Sequence, residues 1–302
     1  MQVHTYTHYP TISTDMLQVV YERRPGHNHD ALIAGSRARN AVKLVYYLLF
    51  SIAYGIVGSF ADFVMVNSSW TCNHIRSLWL FAPPPEVVFP PCDATGFASL
   101  PLSSPPRKPL VLSIGQFRPE KDHALQIRSF ARMLSKPGVP KGATLVLLGG
   151  VRDEGDQGRV DELRSLCESL GVEKRVEFVL NQPYSVLKDY LGKSSVGLHC
   201  MWNEHFGIGV VEMMAAGLVV VAHDSGGPKA DIIKDLVKEG ECRTGFLAAT
   251  EEQYCDCMWG ALKKGAEPSM AQIRENAREA AFRFSDEVFD ERMESLLRET
   301  LT

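Results

Sequence analysis

The fold is decided by the stretch Ser195-Val-Gly-Leu-His-Cys-Met-Trp-Asn-Glu204-His-Phe-Gly-Ile-Gly-Val-Val-Glu212. Its first six residues predict an apolar β-strand and its second half predicts a helix, so the stretch is a strand–loop–helix unit. Glu204 lies just ahead of the helix, and Glu212 lies two turns inside it. Gly207 and Gly209 leave the first helical amides open to an anion, since these N–H groups have no acceptor within the helix. The stretch therefore predicts a diphosphate site with a carboxylate on either side.

The same strand–helix pattern repeats on both sides of this stretch. Strands are predicted at Leu110–Ile114, Thr144–Leu148, Val176–Val179, Ser195–Cys200, Leu218–Ala222 and Gly245–Ala248. Helices are predicted near residues 121–134, 157–170, 184–192, 207–216, 228–236 and 251–264. Strands that each precede a helix predict a parallel, doubly wound sheet.

The first 98 residues supply about three strands, at residues 1–8, Asp62–Val66 and Val87–Phe89, which is too few for a complete domain of this kind. The expected fold class is therefore α/β, with a complete C-terminal Rossmann-like domain and a partial N-terminal one. A chain that opens inside a strand is expected to be a fragment or a truncated gene model.

Four segments are predicted. Residues 1–98 form the partial N-terminal domain, and the Pro/Ser-rich residues 99–109 form a linker. Residues 110–284 form the C-terminal domain. Residues 285–302 form a helix capped by Ser285, which we expect to pack back on the N-terminal domain.

Composition narrows the class of protein. A net charge of −4 and a pI near 6.2 do not favour nucleic acid as a partner. Seven cysteines, at 72, 92, 167, 200, 242, 255 and 257, form an odd set without paired zinc spacing. This pattern favours a reducing, cytosol-facing compartment and predicts no metal site.

A second cluster follows the first strand of the C-terminal domain, in Ser113-Ile-Gly-Gln-Phe-Arg-Pro-Glu-Lys-Asp122. A turn at Gly115 can aim Arg118 and Lys121 at one pair of phosphates, where fixed cations stabilise the charge of a departing diphosphate. Without the Glu204–Glu212 stretch, the alternative of a solvated helix start would be favoured.

The two carboxylates also have structural alternatives. Glu204 can reach a sugar hydroxyl or serve only the helix dipole. Glu212 can bind ribose hydroxyls or lie exposed, but its apolar neighbours favour a buried group with a partner. The glycine pair between them lacks the third glycine of a dinucleotide fingerprint, which argues against redox chemistry. Ser225-Gly-Gly-Pro228 is equally consistent with a ligand contact and with a plain turn.

Residues 44–61 carry no charge and follow Arg37, Arg39 and Lys43. Their length reaches the lower limit for a bilayer span. A helix lying in the plane of a membrane, with its basic flank on lipid headgroups, is the favoured interpretation. A buried core helix and a true span remain as alternatives.

The Glu-x7-Glu spacing resembles the signature of retaining GT-B glycosyltransferases of the glycogen-synthase-like clan. Five blocks extend the resemblance over nearly the whole chain. They are residues 8–17 (HYPTISTDML), 66–71 (VNSSWT), 90–93 (PPCD), 113–123 (SIGQFRPEKDH) and 202–212 (WNEHFGIGVVE). Together they resemble the eukaryotic GDP-mannose-dependent α-1,2-mannosyltransferases of dolichol-linked oligosaccharide assembly.

This resemblance implies a retaining transferase at the cytosolic face of the endoplasmic reticulum membrane. It would add the fourth and fifth mannoses to a diphosphodolichol-linked glycan for N-glycosylation, without a metal and with other mannosyltransferases of the pathway as further partners. Catalytic roles are implied for His8 and Glu204. Donor-binding roles are implied for Gly115, Arg118, Lys121, Phe206, Gly207, Ile208 and Glu212.

The sequence departs from the pattern in two ways. Gln116 stands where generic members of the clan have an arginine. In addition, the family has a membrane anchor, first strands and a glycine-rich loop ahead of the residues matched here. Two alternatives follow: a UDP-sugar-dependent transferase of the same clan, or a non-catalytic nucleotide-binding fragment.

Overall fold

The computed structural model of the chain describes residues 2–23, 35–102, 106–234, 243–265 and 267–301. Three features named from the sequence lie partly or wholly outside these residues. They are the middle of the linker 99–109, the end of the helix predicted at 228–236, and Cys242. The chain forms two compact units, Met1–Phe89 with Glu291–Thr302, and Pro90–Asp290.

The first unit contains a parallel sheet of three strands in the order β1-β2-β3. The strands are β1 (His4–Thr7), β2 (Phe63–Val66) and β3 (Glu86–Val87). The helices that accompany them are α1 (Thr14–Tyr21), α2 (Arg37–Gly58) and α3 (Ser69–Leu78). The three predicted strands are thus present, and α1 is a helix that the sequence analysis did not predict.

The core of the first unit forms where α3 and α2 meet the sheet. Val64 and Val66 of β2 are buried against Ile75 and Trp79. Gly58 allows this packing, since a Cβ there would come within 2.1 Å of the Trp79 ring. A small residue on α2 therefore lets the indole lie against the helix backbone.

The other faces of α2 are exposed. Its buried residues are Asn40, Gly55 and Gly58, and a window of the helix is only 11% buried. Nine large apolar side chains on and just after it lie exposed: Val42, Val45, Tyr46, Leu48, Leu49, Ile52, Ile56, Val57 and Phe60. Within the described ranges, α2 alone has the length and hydropathy that crossing a bilayer requires, a test that core helices also pass.

The second unit contains a parallel sheet of six strands in the order β6-β5-β4-β7-β8-β9. The strands are β4 (Lys108–Ile114), β5 (Thr144–Gly149), β6 (Val176–Leu180), β7 (Ser194–His199), β8 (Val219–His223) and β9 (Phe246–Ala248). This is the predicted doubly wound sheet. The strand order reverses between β4 and β7, and such a switch opens a ligand crevice at the carboxyl ends of the strands.

Helices cover this sheet and continue to the end of the chain. They are α4 (Ala94–Ala98), α5 (His123–Leu134), α6 (Glu154–Ser169), α7 (Tyr184–Lys193), α8 (Ile208–Ala215), α9 (Glu251–Lys263), α10 (Pro268–Ala281) and α11 (Asp286–Leu301). Helix α10, which begins with Pro268 at its first turn, was not predicted from the sequence.

The boundary between the two units falls between Phe89 and Pro90, ahead of the predicted linker 99–109. Residues 90–98 join the second unit because Cys92 pairs with Ser285 and its amide donates to the Phe284 carbonyl at 2.9 Å. The end of the chain from Glu291 groups with the first unit. There, Arg292 forms a 2.9 Å ion pair with Glu86.

Candidate functional site

Two loops meet at the switch point of the six-stranded sheet. One follows β4 and carries Gly115, Arg118 and Lys121, and the other follows β7 and carries Glu204. Because β4 and β7 are paired and parallel, their carboxyl ends lie side by side and both loops leave from the same edge. The site therefore arises from residues about eighty positions apart in the chain.

Lys121 is held in place by the start of α5. Pro119–Lys121 forms a single 3₁₀ turn, and Asp122 then adopts a left-handed backbone with φ +44°. The Asp122 carboxylate accepts a 3.0 Å hydrogen bond from the Leu125 amide and so caps the helix. The turn and the cap together fix the backbone beside Lys121, whose Nζ contacts Glu204.

The Glu204 carboxylate receives two donors at the same oxygen. Lys121 Nζ lies 2.6 Å from Glu204 Oε2, and His199 Nε2 lies 3.0 Å from it. Burial would raise the pKa of Glu204, but the hydrogen bonds and charges of His199 and Lys121 outweigh it and hold the pKa well below its usual range. Glu204 is therefore a largely buried carboxylate, 14% exposed, whose surroundings favour the ionised form.

His199 was missed by the sequence analysis. An ionised carboxylate can only accept, so the Nε2 of His199 must be the donor in this contact. The ring is 5% exposed at the carboxyl end of β7. The signal was an imidazole in an otherwise apolar strand, which requires a buried polar partner.

The loop that carries Glu204 is fastened to the turn after β8. The Asn203 amide donates to Ser225 Oγ at 2.8 Å, and the Gly227 amide donates to the Glu204 carbonyl at 2.7 Å. Gly226 has φ +61°, and a Cβ there would lie 2.3 Å from the Glu204 carbonyl oxygen. The glycines of Ser225-Gly-Gly-Pro228 are therefore required to hold Glu204 in place. From the sequence alone, this turn was equally consistent with a ligand contact and with a plain turn.

Helix α8 begins beside this carboxylate. Gly207, with φ +117°, is its N-cap, and Ile208 is its first residue and about half exposed. The Phe206 ring is buried and contacts Phe284 with 5.3 Å between ring centroids, so it anchors the start of the helix. The first amides of α8 have no acceptor within the helix and lie where an anion would be stabilised.

The other predicted donor residues of the β4 loop are placed differently. The Gly115 amide donates to the Leu148 carbonyl at 3.0 Å, which ties the loop to β5. Arg118 lies near Glu120, with 3.8 Å between Nη1 and Oε1. Its Nε is buried and has no hydrogen-bond partner within the described residues. Convergence of Arg118 and Lys121 on one diphosphate stays a prediction.

Glu212 lies about one turn inside α8. Its electrostatic surroundings differ from those of Glu204. Burial and, to a smaller extent, the nearby charge of Asp93 together raise the pKa of Glu212 to about 7. Asp93 is the N-cap of α4 and lies within 3.4 Å of the Tyr184 hydroxyl. A carboxyl that is partly protonated near neutrality can both donate to and accept from a neutral hydroxyl.

His8 belongs to the first unit. It directly follows β1, its side chain is exposed, and its ring meets the Tyr6 ring edge-on at 4.9 Å. Thr71 Oγ1 donates to the His8 carbonyl at 3.5 Å, which links the motif 66–71 to this corner. Participation of His8 and Glu204 in one reaction stays a prediction.

Across the described ranges, no group of three or more His, Cys, Asp or Glu residues could hold a metal ion. The predicted metal independence is a separate matter and stays a prediction.

A six-stranded parallel sheet with a switch point in its middle is a fold found in known α/β proteins. Solved structures of glycosyltransferases show that this is the GT-B fold. A glycosyltransferase from Rickettsia africae matches with a TM-score of 0.69 over 84% of this chain and 67% of that chain, at 15% identity. A sucrose-phosphate synthase from Thermosynechococcus elongatus matches with a TM-score of 0.68 over 100% of this chain and 68% of that chain, at 22% identity. At such identities the similarity shows the fold alone.

The chain belongs to the family described as glycosyl transferases group 1, whose profile matches residues 100–280. A second family profile, described as the ALG11 mannosyltransferase N-terminus, matches residues 1–79.

Curated relatives carry the name GDP-Man:Man(3)GlcNAc(2)-PP-Dol alpha-1,2-mannosyltransferase. Those of mouse and human are 52% identical over 96% of this chain, and that of Caenorhabditis elegans is 39% identical over 96%. The chain spans 59% of the length of the mouse and human relatives.

Replacing Gly226 by alanine should destabilise the second unit. The new Cβ would meet the Glu204 carbonyl oxygen, and the backbone is left-handed, so we expect a loss of about 1–3 kcal/mol. The matched control is Gly158→Ala inside α6, where a Cβ meets nothing within 4 Å and alanine should stabilise by roughly 0.5–1 kcal/mol. Urea unfolding measures both, and equal stability of the two variants would contradict this interpretation.

The raised pKa of Glu212 predicts a pH-dependent stability. The folded chain holds this proton up to about pH 7 while the unfolded chain releases it near 4.5, so stability should fall as pH rises through this window. The Glu212 contribution amounts to roughly 3 kcal/mol at most. Glu212→Gln should remove this fall, and Asp93→Asn should shift it to lower pH. If the free energy of unfolding depends on pH in the same way in Glu212→Gln and in the unchanged protein between pH 4.5 and 8, Glu212 is not the source of the fall.

Proposed function

We propose that this chain is the donor-binding part, with a portion of the acceptor part, of a retaining α-1,2-mannosyltransferase. It moves mannose from GDP-mannose to a diphosphodolichol-linked oligosaccharide on the path to N-glycosylation. The observation that supports this best is the Lys121–Glu204 contact at the start of α8, within a chain 52% identical to relatives that carry this activity in their name. The family profiles on both parts of the chain agree with it.

In this proposal the GDP diphosphate lies at the start of α8, against the amides near Gly207 and Ile208 and beside the Lys121 ammonium. Charge grows on the β-phosphate as the sugar bond breaks, and a fixed cation with helix amides stabilises that charge. Arg118 contributes a second cation. Glu212 binds the ribose hydroxyls.

Glu204 binds a hydroxyl of the mannose through its ionised carboxylate. The acceptor hydroxyl then attacks the anomeric carbon from the face that the phosphate leaves. The bond from this carbon to the phosphate oxygen breaks, its electron pair remains on that oxygen, and the acceptor proton passes to the leaving phosphate. His8 assists near the reacting carbon. The configuration at the anomeric carbon is retained.

Donor binding and transfer test the proposal directly. GDP should raise the unfolding temperature of the chain, and UDP should do so much less. Lys121→Met should weaken GDP binding by about tenfold or more, because a hydrogen bond to a charged group is lost. Glu204→Ala should retain GDP binding and lose transfer from GDP-mannose to a short-chain lipid-linked acceptor.

NMR of the product checks the stereochemistry, with an α-linked mannose expected. A β-linked product excludes front-face retention, and stronger protection by UDP than by GDP points to the UDP-sugar transferase. Nucleotide binding without transfer supports the non-catalytic alternative.

We further propose that α2 lies at a membrane surface on the cytosolic side of the endoplasmic reticulum. Apolar side chains such as Val45 and Ile52 are exposed on it, and Arg37, Arg39 and Lys43 stand at its start. An exposed apolar helix with a basic flank fits lipid tails and anionic headgroups together. A lipid-linked acceptor would reach the enzyme at such a surface.

Vesicle binding tests this second part. The chain should co-sediment with vesicles that contain phosphatidylserine, and the double variant Val45→Glu/Ile52→Glu should bind several-fold less. Leu170→Glu, which changes an exposed leucine of the second unit, is the matched control and should bind unchanged. Equal binding of the α2 variant and this control would reject the membrane contact.

A further inference from the structure

We propose that His199 is a positioning residue for sugar binding by Glu204: its Nε2–H keeps one carboxylate oxygen fixed and ionised when a diphosphate draws on Lys121. This inference rests on the proposed function, since it concerns the same donor site. It assigns a role to a buried side chain that the proposed binding of GDP-mannose does not otherwise use.

The contact geometry separates the two oxygens of Glu204. Both Lys121 and His199 reach Oε2, at 2.6 Å and 3.0 Å, so neither of them engages Oε1. An oxygen held by two donors fixes the plane of the carboxylate, and the other oxygen can then accept from a sugar hydroxyl. A fixed acceptor costs less ordering on binding than a mobile one.

The two donors differ in what else they can bind. Lys121 Nζ also contacts Met201 Sδ at 3.2 Å, and it is the cation proposed for the diphosphate. When an anion arrives there, one ammonium stands between two negative groups. The added negative charge raises the pKa of the carboxylate. His199 is not proposed to contact the diphosphate, so its hydrogen bond to Glu204 persists when GDP-mannose is bound.

His199 is itself rigidly held. It ends β7, where it pairs with Ala222 of β8, and its carbonyl accepts from the Tyr254 hydroxyl at 3.3 Å. Its ring donates from Nε2, since the carboxylate oxygen that it contacts can only accept.

Other titratable groups surround the pair and bear on any pH dependence. They are Lys121, Asp122 and His123 before and in α5, Cys200 after β7, His223 and Asp224 at the end of β8, and Tyr254 in α9. Burial lowers the pKa of His123 to about 4 and also lowers that of His223, so neither ring supplies a positive charge to Glu204 near neutrality. Lys121 and His199 therefore remain the donors that act on this carboxylate.

The experiment is isothermal titration of the whole chain with GDP-mannose and with GDP between pH 4.5 and 8. The variants are His199→Gln, which places an amide N–H at the position of Nε2, and His199→Leu, which removes the donor. His199→Asn places its amide one bond short of Glu204 and replaces the leucine variant if that variant does not fold. Unfolding temperatures confirm that each protein is folded.

In His199→Leu, which lacks the Nε2–H hydrogen bond, the affinity for GDP-mannose should fall about tenfold or more. The decline of this affinity on acidification should begin about one pH unit higher than in the unchanged protein. GDP affinity at pH 8 should stay within about twofold, and His199→Gln should restore the profile. A merely structural role would lower GDP and GDP-mannose binding alike, without moving the acid limb.

Three results overturn the inference: a His199→Leu profile that matches the unchanged protein, an equal loss of GDP and GDP-mannose binding in His199→Leu, or a His199→Gln profile as impaired as that of His199→Leu. Failure of the unchanged chain to bind GDP or GDP-mannose would instead reject the proposed function. The two failures are therefore distinguishable.

Discussion

The candidate site is organised around one largely buried carboxylate whose surroundings favour its charged form. Glu204 is largely shielded from water, which by itself would favour its neutral form. Two hydrogen-bond donors, one from a loop and one from a strand end, reverse that preference. Lys121 arrives from the loop after β4 and His199 from the end of β7. The parallel pairing of these strands at the switch point is what makes the contact available.

The second constraint is how closely the backbone of the β7–α8 loop lies against the turn after β8. Amide hydrogen bonds from Asn203 and Gly227 join the two segments, and Gly226 fits only because it has no Cβ. A similar close approach occurs at Gly149, where a Cβ would meet the Gly115 carbonyl oxygen. Rigid backbone contacts of this kind hold a site more accurately than exposed side chains do.

The two glutamates of the Glu-x7-Glu spacing are placed in opposite electrostatic settings. Glu204 has cationic or donor partners and a depressed pKa, whereas Glu212 has burial and the nearby Asp93 and a pKa near 7. An ionised group suits a strong, directional hydrogen bond to a sugar near a developing charge. A group that can carry a proton suits neutral hydroxyls, and groups tuned apart in this way commonly mark distinct roles in one site.

The amino-acid sequence by itself determined the six-stranded parallel sheet and the helix start at Gly207, whereas the roles predicted for Lys121, Glu204 and Glu212 stay predictions. The sheet and the helix start follow from strand–helix alternation and from short-range spacing, which act within a few turns of chain. The sequence also indicated the apolar helix α2, whereas α1 and α10 were not predicted.

Only the tertiary structure decided the partners of those residues. Three contacts join separate loops and depend on strand order. They are the contact of His199 with Glu204, the proximity of Asp93 to Glu212, and the close backbone approach at Gly226. Strand order is fixed by packing of the whole domain rather than by local preference, so spacing along the chain could not reveal these pairs. The sequence showed which groups carry charge, and the fold decided which of them remain charged.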